Sequence, residues 1–407
     1  MPLRFYLFAL FPLLPVFFHR EAKEERPASF VRESAIVTGA DQLSAYLPLL
    51  KGKRVGMLVN PTSIIGNKAS VDSLLALGVN IRRIFGPEHG FRGNASNGAA
   101  VADEVDRKTG IPVVSLYGKR RKPSPADMAA IDIMVFDIAD VGCRFYTNIN
   151  TLADVMEACA ENGKELLILD RPNPNGFVDG PVLDMSLASG IGKFPIPITH
   201  GMTLGEFARM INGEGWLPGK AKCSIRIVPL KNYTHDREYT LPVTPSPNLN
   251  TQQSVVLYPS LCLFEGTILS QGRGTRMPFT VLGSPDLKDR YSFSFTPVSI
   301  PGMSENPLHK DKTCYGLDLR NYDIMPYRKA GRINIRWMLD LYKAYPHKEK
   351  FFDRTQSNQM GSIDGLAGTR RFKEQVIAGA SEEEIRSSWE PALGRYKKMR
   401  MQYLLYP

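Results

Sequence analysis

Between residues 54 and 229, short apolar runs alternate with stretches of helical spacing. The runs at 54–59, 80–85, 112–116, 131–136, 165–169 and 224–228 have the length of buried strands. The stretches 69–77, 124–130, 152–162 and 204–212 carry apolar residues three and four apart. Such alternation is the mark of βα units and of a mostly parallel sheet. Thr203 and Glu206 stand at the T-x-x-E interval of a capping box, in which each side chain satisfies the other's backbone donor, so a helix starts at residue 204. After Leu230 the pattern changes. Pro242, Pro245 and Pro247 punctuate a polar connection, and beyond it 291–300 and 313–319 read as strands while 333–345, 370–378 and 382–405 read as helices. The expected architecture is an α/β domain over 35–245 followed by a smaller α+β domain over 246–407.

Composition agrees with two domains. A chain of 407 residues exceeds the roughly 100–200 usual for one, and 43% hydrophobic with 10% aromatic residues supports a sizeable core and excludes wholesale disorder. The 51 Lys+Arg against 41 Asp+Glu give a net charge of +10, which favours anionic partners such as a cell-wall polymer, a membrane surface or nucleic acid. No recognisable nucleic-acid module is present, so nucleic acid is not an expected partner. The five cysteines are an odd count without a C-x-x-C pair and read as buried thiols. Arg4 precedes an apolar run at 5–18, shorter than the ~20 residues of a membrane-spanning helix. Residues 1–34 are therefore expected to be an export signal, or an uncleaved anchor with N-terminal membrane association, joined to a charged linker. The protein is expected to be exported, periplasmic or envelope-associated.

Candidate chemistry follows from where the polar residues fall. Four clusters come directly after expected strands, at the carboxyl edge where open α/β sheets bind ligands. They are Asn60-Pro61-Thr62-Ser63, Gly86 to Gly93, Asp137 to Tyr146, and Asp170-Arg171-Pro172-Asn173-Pro174. The first βα turn lacks G-x-G-x-x-G, and no phosphate-binding G-x-x-x-x-G-K-[ST] occurs, so no nucleotide cofactor is expected. Glu88, His89, Asp137, Asp140 and His200 could in principle assemble around a metal, but no H-E-x-x-H or comparable pair supports this and no metal is expected. Glu88, between a proline and His89-Gly90, suits a general acid whose pKa is raised by apolar neighbours such as Phe85 and Phe91. A surface ion pair of Glu88 with Arg92 is the plainer alternative. His89 reads equally as a ligand contact or a core histidine. Asp137 and Asp140 could orient sugar hydroxyls or Arg144, or could cap a helix. Farther on, Glu265 could be a second carboxylate and Arg273 or Arg276 a clamp for a ligand carboxylate, the alternative being an internal Glu265–Arg pair. Tyr258 and Phe279 read as core.

At these loops the sequence resembles the bacterial exo-β-N-acetylmuramidases of peptidoglycan turnover, formerly a domain of unknown function. The resemblance runs over about 55–405. It rests on Pro87-Glu88-His89-Gly90-Phe91-Arg92-Gly93, on Phe136-Asp137-Ile138 through Asp140-Val141-Gly142 to Arg144-Phe145-Tyr146, and on Asp170-Arg171-Pro172-Asn173-Pro174. It continues through His200-Gly201-Met202-Thr203, Pro245-Ser246-Pro247-Asn248, Phe264-Glu265-Gly266-Thr267, Gly272-Arg273-Gly274-Thr275, Leu366-Ala367-Gly368-Thr369 and Tyr403-Leu404-Leu405-Tyr406. It implies a Rossmann-like domain, a smaller C-terminal domain, an active cleft between them, and a catalytic glutamate at Glu88. The implied substrate is a non-reducing terminal N-acetylmuramic acid (MurNAc) β-1,4-linked to N-acetylglucosamine (GlcNAc) in peptidoglycan fragments. Ala139 departs from the glutamine expected there. The candidate catalytic residues are Glu88 and Glu265, and the candidate substrate contacts are His89, Arg92, Asp137, Asp140, Arg144, Tyr146, Asn173, His200 and Arg273. Arg92, Arg144 and Arg273 could select the lactyl carboxylate of MurNAc. A silent muropeptide-binding protein and a metal-dependent hydrolase of another wall bond are the rival readings.

Overall fold

The computed structural model describes residues 1–3, 34–87, 90–92, 104–118, 120–353 and 361–407. Ile36–Pro407 pack as one compact unit. The expected export segment lies outside the described residues, and among those described no helix is long and apolar enough to cross a membrane.

The first part is built on seven strands: β1 (Val55–Val59), β2 (Ile81–Gly86), β3 (Glu104–Val105), β4 (Pro112–Ser115), β5 (Ile133–Asp137), β6 (Glu165–Leu169) and β7 (Ser224–Val228). Their order across the sheet is β7-β6-β5-β1-β2-β4-β3, parallel throughout except for the short edge pair β3–β4. Both faces are covered, so the strands are apolar on each side and their side chains sort with a period of two. Met134 and Phe136 of β5 and Leu166 and Ile168 of β6 meet Met128 of α3 (Pro125–Ala129), α4 (Asn148–Glu161) and α5 (Leu204–Glu214) on one face. Ile133, Val135, Leu167 and Leu169 face the opposite way, with Tyr46 and Leu50 of α1 (Leu43–Leu50) and Val71 and Leu74 of α2 (Ser70–Ala76). The capping box opens α5 as expected: Thr203 Oγ1 accepts from Glu206 N at 3.3 Å, and Glu206 Oε2 accepts from Thr203 N at 2.9 Å.

The second part starts with α6 (Gln252–Leu261) and carries a three-stranded antiparallel sheet of β8 (Val281–Ser284), β9 (Phe293–Phe295) and β10 (Cys314–Asp318), with β10 in the centre. A helical layer follows: α7 (Ile324–Ala330), α8 (Arg336–Ala344), α9 (Ile363–Ala367), α10 (Arg370–Ile377) and α11 (Glu382–Arg400). The expected strand at 291–300 shrinks to three residues, because Pro297 cannot donate to a ladder. All five cysteines are free and buried.

The segment after α11 returns to the first sheet. Arg209 Nη1 holds Tyr403 O and Leu404 O, Glu206 Oε1 accepts from Leu405 N, and Tyr406 OH donates to Asp170 Oδ2 at 2.6 Å. Burial pushes the Asp170 carboxyl up to about 6, against the hydrogen bonds from Tyr406, Thr203 and Gly205 that favour its charged form. A raised acid contributes its full stability below its unfolded value of 3.8 and loses it as pH rises through about 6. Tyr406→Phe removes one donor to the charged form. It is expected to destabilise the protein by about 1.5–3 kcal/mol at neutral pH. Unfolding at pH 7.5 and pH 5 checks this, the deficit being larger at pH 7.5.

Candidate active site

The chain builds outward from β1 through β2 to β4, then crosses back to place β5 on the other flank of β1. At such a reversal the loops leave in opposite directions and open a crevice at the carboxyl ends. The loops after β1 and β5 are stitched together there. Asn60 Oδ1 accepts from Thr62 N and Thr62 Oγ1, Thr62 Oγ1 accepts from Ala139 N at 3.0 Å, and Ser63 Oγ donates to Asp137 O. Asn148 Nδ2 takes Ala139 O at 2.9 Å, so both backbone groups of Ala139 are held by side chains.

A small cavity of about 60 Å³ opens beside these loops. Asn60, Tyr146, Thr147 and Asn148 line it from the first part, and Asn248, Tyr258, Glu265, Arg273 and Phe279 from the second. Tyr146 is fixed by its hydroxyl on Pro245 O at 3.0 Å and lies edge-on to Tyr258. Glu265 sits in a 3₁₀ turn after α6, and its Oε1 accepts from Arg273 Nε at 2.8 Å and Nη2 at 2.6 Å. The Arg273 guanidinium stacks over Phe279 at 5.0 Å, and its Nη1 has no partner among the described residues. Phe279 holds a left-handed φ of 53°, a conformation costly for a bulky side chain. The internal Glu265–Arg273 pair is thus present, and it lies in the cavity wall.

Glu88 and His89 lie outside the described residues. Their flanks are defined: β2 pairs with β1 at Phe85 beside Leu58, and the turn closes with Gly90 N on Pro87 O at 3.0 Å. Arg92 anchors this loop. Its Nε and Nη2 grip the two oxygens of Asp106 at 2.7 and 2.8 Å, with Nη2 also on Asp72 at 3.3 Å, and it stacks on Phe91. The Arg92 hydrogen bonds hold the Asp106 carboxyl down at about 2. The cation of Arg92 is committed to Asp72 and Asp106.

Most of the other candidates form an internal lattice behind the cavity. Asp137 Oδ1 accepts from Arg171 Nε at 2.7 Å, both side chains being buried. Asp140 Oδ2 accepts from Gly142 N at 2.8 Å and lies 3.6 Å from His200 Nε2. His200 Nδ1 accepts from Met202 N, which leaves the ring proton on Nε2, toward Asp140. Asn173 donates to Met202 O and accepts from Asn175 N. Its side chain fills the space a Cβ would need at Gly142, which has a φ of 76°. Arg144 is fully buried. Nη1 holds Pro181 O and Ile196 O and Nη2 holds Leu366 O, each at 2.8 Å. Burial lowers its guanidinium pKa to about 9, which leaves it charged at neutral pH. Among the described residues no group of three or more His, Cys, Asp or Glu is arranged to hold a metal ion. Asn60 and Tyr258 were not among the sequence candidates. Asn60's place as the first polar residue after the central strand is the signal that points to it.

Two family models match the chain in sequence, the N-terminal part of the exo-β-N-acetylmuramidase NamZ over residues 55–253 and its C-terminal part over 256–406. The chain belongs to this family. It is similar to the peptidoglycan β-N-acetylmuramidase NamZ of Bacillus subtilis (strain 168), 37% identical over 393 residues that cover 92% of each chain. It is similar in structure to two DUF1343 family proteins of Bacteroides fragilis. One has a TM-score of 0.83 at 45% identity and covers 92% of this chain and 99% of its own, and the other has 0.75 at 28%, covering 91% and 99%. The whole family fold, first sheet and second part together, is therefore present.

The geometry separates framework from cavity wall. Arg144→Met leaves three carbonyls without their donor and is expected to cost about 3 kcal/mol or more of stability, at 1–3 kcal/mol for each buried group left unpaired. Denaturant unfolding checks this. Glu265→Gln leaves the largely buried Arg273 cation without its counter-charge and is expected to cost about 3–5 kcal/mol in the same unfolding measurement.

Proposed function

We propose that this protein is an exo-acting glycosidase that releases non-reducing terminal MurNAc from β-1,4-linked MurNAc–GlcNAc peptidoglycan fragments, with Glu88 as general acid and base. The observation that carries this reading is the cavity at the strand-order reversal, lined by a carboxylate–arginine pair, in a chain that belongs to the exo-β-N-acetylmuramidase family over both its parts. Cleavage needs a proton on the leaving GlcNAc oxygen and negative charge near the developing oxocarbenium ion. Glu88 follows, in sequence, the strand beside the one that delivers Asn60 to the cavity. Glu265 lines the cavity from the second part, with Arg273 holding one oxygen in place.

MurNAc differs from GlcNAc by a lactyl carboxylate. Of the three arginines considered for it, Arg92 and Arg144 are engaged in the framework, and Arg273 lines the cavity. A site that pairs this carboxylate loses transition-state binding when the group is absent. The net charge of +10 and the apolar run at 5–18 support work in the cell envelope, next to an anionic polymer.

Matched p-nitrophenyl β-glycosides of MurNAc and GlcNAc test the substrate. The MurNAc glycoside is expected to be hydrolysed with kcat/KM at least about tenfold higher, a difference one charge-assisted hydrogen bond supplies. Equal values refute MurNAc specificity. Glu88→Gln is expected to lower turnover by roughly 10²–10⁴-fold with an unchanged unfolding midpoint. A variant within a fewfold of wild type removes Glu88 from the mechanism.

A further inference from the structure

A second, larger hollow adjoins the cavity. Its volume is about 380 Å³, and Thr147 and Ile191 line both spaces. That lies within the roughly 300–1,000 Å³ of a typical small-ligand pocket. Leu116 and Tyr117, at the carboxyl end of β4, form one wall, and Asn150, Thr151 and Asp154 of α4 form another. The lining mixes apolar and aromatic surface with hydroxyl, amide and carboxylate groups, the chemistry that suits a pyranose with its apolar faces and hydroxyl edges.

The charge balance of this groove is set by the run Arg120-Arg121-Lys122. Arg120 pairs with Asp127 at 3.4 Å, and Lys122 pairs with Glu157 at 2.6 Å and Glu161 at 2.9 Å. The groove's acid, Asp154, is bound by Lys193. Arg121 lines the groove, is exposed, and has no ion-pair or hydrogen-bond partner among the described residues. Its guanidinium lies over Gly190, where a Cβ would come within 3.3 Å of Nη1, and Gly190 O is held by Asn150 Nδ2 at 2.8 Å. Among the described residues Arg121 is therefore a groove-lining cation without an ion pair, near enough to Asp154 for its charge to favour that carboxylate.

We infer that this groove carries the continuation of the glycan strand beyond the cleaved bond, and that Arg121 recognises the carboxylate of the next MurNAc along it. The inference rests on the proposed exo-muramidase activity. An exo-acting enzyme encloses the terminal sugar, so the rest of the strand must leave by a path that touches the enclosed site, and the groove sharing Thr147 and Ile191 with the cavity provides one. Alternate sugars of the strand carry the lactyl group, so the first sugar after the cut is neutral and the second brings an anion. Arg121 is a specificity residue for strand length and charge, and it takes no part in bond cleavage.

The test compares wild type, Arg121→Ala and Arg121→Lys on three substrates: p-nitrophenyl β-MurNAc, the tetrasaccharide MurNAc-GlcNAc-MurNAc-GlcNAc, and the same tetrasaccharide with the inner lactyl carboxylate reduced to an alcohol. Arg121→Ala is expected to lower kcat/KM on the native tetrasaccharide about tenfold, the worth of one charge-assisted contact. It should leave the nitrophenyl glycoside within twofold and abolish the difference between native and reduced tetrasaccharides. Arg121→Lys is expected to recover part of the loss, and added salt to shrink the wild-type preference, as for an exposed ion pair. Equal loss on all three substrates, or no loss on any, overturns the inference and leaves the activity standing. Failure of wild type to hydrolyse the nitrophenyl glycoside overturns the activity, and this inference with it.

Discussion

The cavity depends on one buried cation. Arg144 leaves the loop after β5 and spends its guanidinium on carbonyls at 181, 196 and 366, so a single side chain ties the strand-order reversal to a ribbon of the first part and to α9 of the second. A guanidinium is suited to this because its donors fan out in a plane and can satisfy several carbonyls at once. It cannot be swung out to meet a ligand without leaving those carbonyls bare. The spacing between the Asn60 side of the cavity and the Glu265 side is thereby fixed, which is what a site composed of groups from two parts of a chain requires.

The period-two and helical patterns located the sheet well because its strands are buried on both faces. The central strands β1, β5 and β6 therefore read as nearly unbroken apolar runs, while β2 carries Arg82 and Arg83 and the edge strand β7 alternates. Each of the six longer strands occurs within two residues of its expected start. Elements that depend on their surroundings were harder to see. The helix α6 contains Pro259 and is buried on nearly all sides, so it shows neither an amphipathic stripe nor a clean stop. The helix expected to run to 405 ends at Arg400, because Glu206 and Arg209, nearly 200 residues earlier, capture the backbone that follows. The pairing of β3 involves two residues only and leaves no periodic trace.

The candidate site shows the same division. Polar residues after strands marked the edge of the sheet beside which the cavity opens, yet sequence could not distinguish a ligand contact from a loop fastener. The partner that commits Asp137 is Arg171, and the one facing Asp140 is His200, each distant along the chain. Arg273 and Glu265 were legible as a pair because they sit eight residues apart in one loop region, and both the pairing and the cavity they line are present. Tyr258 read as core because it is an aromatic among apolar neighbours, and its burial is indeed nearly complete, yet it also lines the cavity edge-on to Tyr146.

The tail that follows α11 has a consequence for how the two parts can be inherited. Tyr406 donates to Asp170, and Glu206 receives Leu405, so the acids buried at the carboxyl edge of the first sheet are completed by donors from the far end of the chain. A recombination event near residue 254, where the two family models meet, would hand the first part a foreign tail. Unless that tail presented a hydroxyl to Asp170 and backbone amides to Glu206, the chimera would bury two acids short of donors. The two parts therefore satisfy each other's buried groups only as a matched set.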